Sequence, residues 1–128
     1  MESTHTQTLR EKLNFIREQG LGTPRYREYE DSPYALVVRA TMPFDAWTGV
    51  FYSWLSLKGH LQGLHGWDRT ELFASRWENT VTATFITVWE NAESMSQWLD
   101  IGYPVPELLE NMGVAPEDMD FQLMRDFS

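Results

Sequence analysis

The chain has 128 residues, enough for one domain core and too few for two. Nineteen acidic against ten basic residues give a formal net charge of −9. That field repels phosphate backbones and anionic lipid surfaces, and no Lys/Arg cluster offsets it, so neither nucleic acid nor membrane is an expected partner. Cysteine is absent, which removes disulfides, thiolate catalysis and Cys-based metal sites. No apolar run approaches the ~20 residues of a membrane helix. The N-terminus (Glu2, His5, Arg10, Glu11, Lys12) has no secretory apolar core, so a soluble, cytoplasmic protein is expected. Aromatic residues make up 14% of the chain, with six Trp, seven Phe and five Tyr. Each ring buries roughly 150–250 Å². A core this small is therefore expected to leave some rings lining a pocket or an interface.

In chain order, Thr8 and Glu11 form a capping-box pattern, and Leu9, Leu13 and Ile16 follow at helical spacing. This predicts a helix from Thr8 to Gln19, stopped by Gly20 and Gly22 and standing as an appendage. Thr23 to Pro33 reads as a polar linker, so residues 1–33 divide from a domain spanning 34–128. Tyr34 to Thr41 is β-branched and apolar, a first strand ended by Met42 and Pro43. Asp45 can cap a helix whose face carries Trp47, Val50, Phe51, Trp54, Leu55 and Lys58, broken up after Gly59.

Trp67 to Trp77 and Thr80 to Trp89 read as two strands joined by a tight turn at Glu78-Asn79. Val81, Ala83, Phe85, Thr87 and Trp89 share one face of the latter. Asn91 can cap a second helix bearing Ala92, Met95, Trp98 and Leu99, which Pro104 and Pro106 interrupt before a short helical turn at Glu107 to Met112. After an acidic loop, Ala115 to Asp120, a last strand runs from Phe121 to Phe127. The order is βαββαβ with an extra N-terminal helix, the ferredoxin-like pattern of an α+β protein. Its right-handed crossovers place both helices on one face of a four-stranded antiparallel sheet. Leu36, Val38, Phe85, Trp89 and Phe127 then exceed what two helices cover, and a second protomer's sheet is the expected cover.

The segments LQGLHGW, TELFASRW and above all FITVWENAESMSQWL resemble the antibiotic-biosynthesis-monooxygenase-like group of the dimeric α/β-barrel superfamily. The last of these covers under one fifth of the chain, and the wider topology match covers most of residues 34–127. The resemblance implies a homodimer with a pocket between sheet and helices in each protomer. It implies three possible activities: a cofactor-independent monooxygenase or related cyclase acting on a polyketide-like aromatic, a non-catalytic ligand-binding or dimerisation module, or a haem-degrading protein. Haem-degrading relatives supply a histidine after the second helix. Here that stretch reads DIGYP, with Tyr103 near the expected place and no histidine after His65. No cofactor and no metal is expected, and the partner is a small hydrophobic or aromatic molecule.

Among residues that carry chemistry, His65 is the candidate base, because its ordinary pKa near ~6.5 lets it take a proton at neutral pH. The alternative is that His65 is solvated and His60 complements the helix C-terminus. Arg39, a charge inside an apolar strand, is the candidate anion anchor, the alternative being a neighbouring Glu as its partner. Trp47, Phe51 and Trp89 are candidate apolar walls and Tyr103 a candidate donor to a substrate carbonyl, with plain packing the alternative for each ring. No phosphate-binding glycine loop and no nucleophile elbow is present.

Overall fold

The computed structural model describes residues 4–19, 32–101 and 104–127. Gly20, Gly22, most of the predicted linker (23–31) and Tyr103 lie outside them. The elements are α1 (Thr4–Gln19), β1 (Tyr34–Pro43), α2 (Phe44–Leu61), β2 (Trp67–Trp77), β3 (Thr80–Trp89), α3 (Ala92–Ile101), α4 (Val105–Asn111) and β4 (Met119–Arg125), with a 3-10 turn at Pro116–Asp118. The sheet order is β2-β3-β1-β4 with every neighbouring pair antiparallel, the ferredoxin-like arrangement.

Several boundaries differ from the sequence reading, each for a local reason. α1 starts at Thr4, a turn before the capping-box pattern, and Thr6 is buried there. β1 runs through Met42 and Pro43, because Met42 is buried opposite Val81 and a proline is tolerated at a strand end. α2 is capped by the hairpin and not by Asp45: the Phe44 N–H donates to the Asn79 carbonyl at 2.9 Å. It also runs past Gly59 to Leu61, whose burial repays the weak helix former. α3 ends at Ile101 and a separate short helix follows, as the prolines predict; α4 opens at Val105, two residues earlier than read, because the first turn has no use for the N–H that Pro106 lacks. β4 begins at Met119 and ends before Phe127. The Asn91 cap forms as read, its Oδ1 accepting from the Ser94 N–H at 2.9 Å.

Alternation sorts the sheet cleanly. Tyr34, Leu36, Val38, Ala40 and Met42 of β1, with Val81, Ala83, Phe85, Thr87 and Trp89 of β3, face the helices and are buried. Leu36, Val38, Phe85 and Trp89 are thus covered within one chain, contrary to the expectation that they need a second one. Phe127 lies beyond the strand and is exposed. The missing cover comes from α1 and α4. Leu9, Leu13 and Ile16 belong to the same core as the sheet, so α1 is part of the domain and not an appendage. It rests against α3, α4 and β4, tied by ion pairs of Arg10 with Asp100 and His5 with Glu110. Trp54 meets Phe85 edge-on at 5.2 Å, and Trp98 stacks on Trp89 at 5.1 Å. Among the described residues no helix lies on the opposite face of the sheet, and Phe73, Trp77 and Met124 on it are exposed.

Candidate functional site

The register brings one polar–aromatic row across all four strands at one end of the sheet. Trp67 of β2 lies opposite Trp89 of β3, Trp89 opposite Tyr34 of β1, and Tyr34 opposite Arg125 of β4. The next inward row holds Thr70, Thr87, Leu36 and Leu123. A strand alternates faces, so Trp67 and Thr70, three residues apart, would ordinarily point to opposite sides. The register shift between Trp67 and Arg69 inserts one extra residue and puts both on the helix-facing side.

Five polar atoms of these rows and the ring above them are buried without a hydrogen-bond partner among the described residues. They are Nε1 of Trp67, Trp89 and Trp98 and Oγ1 of Thr70 and Thr87. Thr87, Trp89 and Trp98 are at most 1% exposed. A buried donor left unmet costs about 1–3 kcal/mol, so five such groups on residues that neighbour one another by register and stacking are a feature to be accounted for. Indole N–H groups only donate, and hydroxyls donate or accept. Each of these atoms is closed to solvent, in a layer where Trp98 stacks on Trp89 and Trp67 and Thr70 lie opposite Trp89 and Thr87. At its edge the Tyr34 phenol has its pKa raised by burial, against partial lowering by Arg125 and Arg17. It is a neutral donor at physiological pH. The Arg125 guanidinium lies 5.3 Å from the Tyr34 ring centre and donates to Ser32 Oγ at 2.8 and 3.0 Å.

The residues singled out from sequence do not assemble into one site. Trp89 is the centre of the row. His65 is exposed, in the loop that leads into Trp67. That loop is held down at Gly66, whose carbonyl accepts from the Glu90 N–H at 2.8 Å and whose φ of +80° packs it against Ser94. Arg39 lies on the helix-free face, exposed, level with Thr84 and Asp120. Trp47 and Phe51 are half-buried near the start of α2, their rings 5.7 Å apart, at the hairpin end of the sheet. β3 separates that end from Trp89 by roughly 30 Å at ~3.3 Å per residue. Trp67, Thr70, Thr87 and Trp98 were not singled out from the sequence as site residues. The available signal was Thr87, a hydroxyl on an inward face between Phe85 and Trp89. Among the described residues no group of three or more His, Asp or Glu is placed to hold a metal ion.

No protein-family model matches the chain, and no curated protein matches it. Solved structures do. SnoaB, a cofactor-independent oxygenase from Streptomyces nogalater, aligns with TM-score 0.58 and 15% identity over 76% of this chain and 95% of its own. A conserved protein from Methanosarcina mazei aligns with TM-score 0.60 and 10% identity over 79% and 99%. A monooxygenase from Streptomyces coelicolor, in complex with nanaomycin D, aligns with TM-score 0.53 and 12% identity over 76% and 88%. At these identities the likeness is one of fold. The chain is an α+β protein with the ferredoxin-like fold. Its βαββαβ core, the part of the fold common to the ferredoxin-like arrangement, is preceded by the helix α1.

Proposed function

We propose that the chain is a small-molecule enzyme of the cofactor-independent monooxygenase type, or a related cyclase, whose substrate is a flat hydrophobic aromatic bearing oxygen acceptors. The observation that carries this reading is the set of five unpartnered buried polar atoms on the Trp67–Trp89–Trp98 wall. Removal of a proton from an activated ring carbon spreads negative charge onto ring oxygens. Preorganised N–H and O–H donors in a water-poor site stabilise such charge as it develops. With dioxygen as co-substrate, a ring CH₂ becomes C=O. One oxygen atom stays on carbon and the other leaves as water with both hydrogens, so no external reductant is required. Two structural neighbours described as an oxygenase and a monooxygenase support this chemistry.

A non-catalytic ligand-binding module using the same walls is favoured by one observation: Arg39 lies on the opposite face of the sheet from the row, and His65 is exposed in the loop before it. Titration of hydroxylated naphthoquinones and of anthrone, followed by Trp fluorescence, tests binding; oxygen uptake with anthrone separates the two readings. Saturable quenching weakened by Trp98→Phe together with Thr87→Val is expected. Unchanged affinity in that variant removes the site, and binding without oxygen uptake leaves the module. We infer also that two copies pair through the helix-free sheet face, on which Phe73, Trp77 and Met124 are exposed. Sedimentation at micromolar concentration tests this, and a stable monomer refutes it.

A further inference from the structure

A cavity of about 450 Å³ lies between α1 and the outer strand β4. That falls within the ~300–1,000 Å³ of small-molecule pockets. Its apolar lining is Phe15 and Ile16 of α1 with Leu123 and Met124 of β4, and Lys12 and Glu11 edge it. None of Trp67, Thr70, Thr87, Trp89 and Trp98 borders it, so it is distinct from the wall described above.

Gln122, Leu123 and Met124 all border the cavity, although successive side chains of a strand point to opposite faces. Three consecutive residues share a cavity where it meets the edge of their strand, and β4 is outermost in the sheet. The ladder settles which backbone groups stand on that edge. Asp126 donates its N–H to the Pro33 carbonyl at 2.9 Å, one step beyond the Tyr34–Arg125 pair. Hydrogen-bonded and non-hydrogen-bonded pairs alternate along an antiparallel ladder. Gln122 and Met124 therefore turn their backbone groups towards β1, and Leu123 turns its N–H and C=O outward. Among the described residues nothing accepts from the Leu123 N–H. Lys12 likewise has no carboxylate partner among them; its ammonium lies 5.7 Å from the Phe121 ring centre.

We propose that the α1–β4 cavity binds an apolar monocarboxylate, its hydrocarbon body on Phe15, Ile16 and Leu123 and its carboxylate held by the Lys12 ammonium and the Leu123 N–H. Both groups donate to an anion, and hydrogen bonds to a charged acceptor are the stronger kind. Burial of the hydrocarbon body supplies the rest of the affinity. Glu11, beside Lys12 on α1, repels a second negative charge, so one carboxylate is the match and two are not. Fatty acids and arylalkanoic acids share this chemistry. This also gives α1 a role: without it the cavity has no outer wall.

The test is an NMR titration of the isotope-labelled full chain with dodecanoate, below its micellar range, and with phenylbutanoate; whichever binds more tightly identifies the source. The Leu123 amide proton is expected to move downfield while the indole N–H signals of Trp67, Trp89 and Trp98 stay in place. Lys12→Gln and Glu11→Gln both stand at exposed positions on α1 and leave its apolar stripe intact. The first should raise Kd about threefold to tenfold, and the second should lower it. Added salt should weaken binding to the wild-type chain and have less effect on Lys12→Gln. Dodecanol bound as tightly as dodecanoate, or an unchanged Kd in Lys12→Gln, overturns the carboxylate assignment. Shifts confined to the indole signals, or no binding at all, overturn the site.

Discussion

Replacing Thr87 by valine should make the protein more stable and its ligand binding weaker at the same time. The Thr87 side chain is fully buried on the inward face of β3, and its hydroxyl has no partner among the described residues. Valine has nearly the same shape and no polar atom. An unpaired buried hydroxyl costs about 1–3 kcal/mol by mutational estimates, so its removal should return an amount in that range. For a domain of this size that is a rise of roughly 4–11 °C in Tm. If the hydroxyl contacts the ligand, the same change removes one hydrogen bond from the complex, about 0.5–1.5 kcal/mol, or roughly a twofold to tenfold rise in Kd. Thermal denaturation followed by circular dichroism, with and without a quinone ligand, measures both. A variant destabilised by more than ~1 kcal/mol would refute the reasoning, because it would show that the hydroxyl is satisfied in the folded protein.

Other expectations follow from individual contacts. Gly66→Ala should be strongly destabilising, about 2 kcal/mol or more: the added Cβ would lie 1.9 Å from Ser94 Oγ, and φ is +80°. Urea denaturation checks this, and a near-neutral result would mean that the loop moves freely. Leu13→Ala should cost about 2–5 kcal/mol, since Leu13 is 1% exposed in the common core. A loss under ~0.5 kcal/mol in chemical denaturation would return α1 to the status of an appendage. Tyr34 has its pKa raised above 10.0 by burial. The unfolded phenol therefore ionises first, and stability that is fully present below pH ~10 is lost as pH rises towards the folded pKa. Denaturation at pH 9 to 11 should show this fall, and Tyr34→Phe should lessen it.

Much of the fold was legible because it depends on local pattern. The alternation of Val81, Ala83, Phe85, Thr87 and Trp89 declared an inward face, and the Asn91 cap declared where α3 starts. The βαββαβ order then leaves little choice of topology, since crossovers are right-handed. Glycine was the weaker guide: Gly59 lies inside α2, because burial of Leu61 outweighs propensity, whereas Pro104 and Pro106 do mark the break between α3 and α4.

The site was hidden for a different reason. Which residues share a patch depends on register, and register is settled by the packing of the whole sheet. Arg39 and Trp89 each stand out in the sequence, yet alternation and pairing put them on opposite faces. Trp67 and Thr70 stand three apart and read as facing opposite ways; one extra residue in the ladder, visible only once β2 is laid against β3, brings them together. Composition and periodicity determined that this chain would be a ferredoxin-like domain rich in aromatic rings. Only the tertiary structure decided which indoles meet, because contacts between distant segments are set by the one arrangement that buries all of them at once.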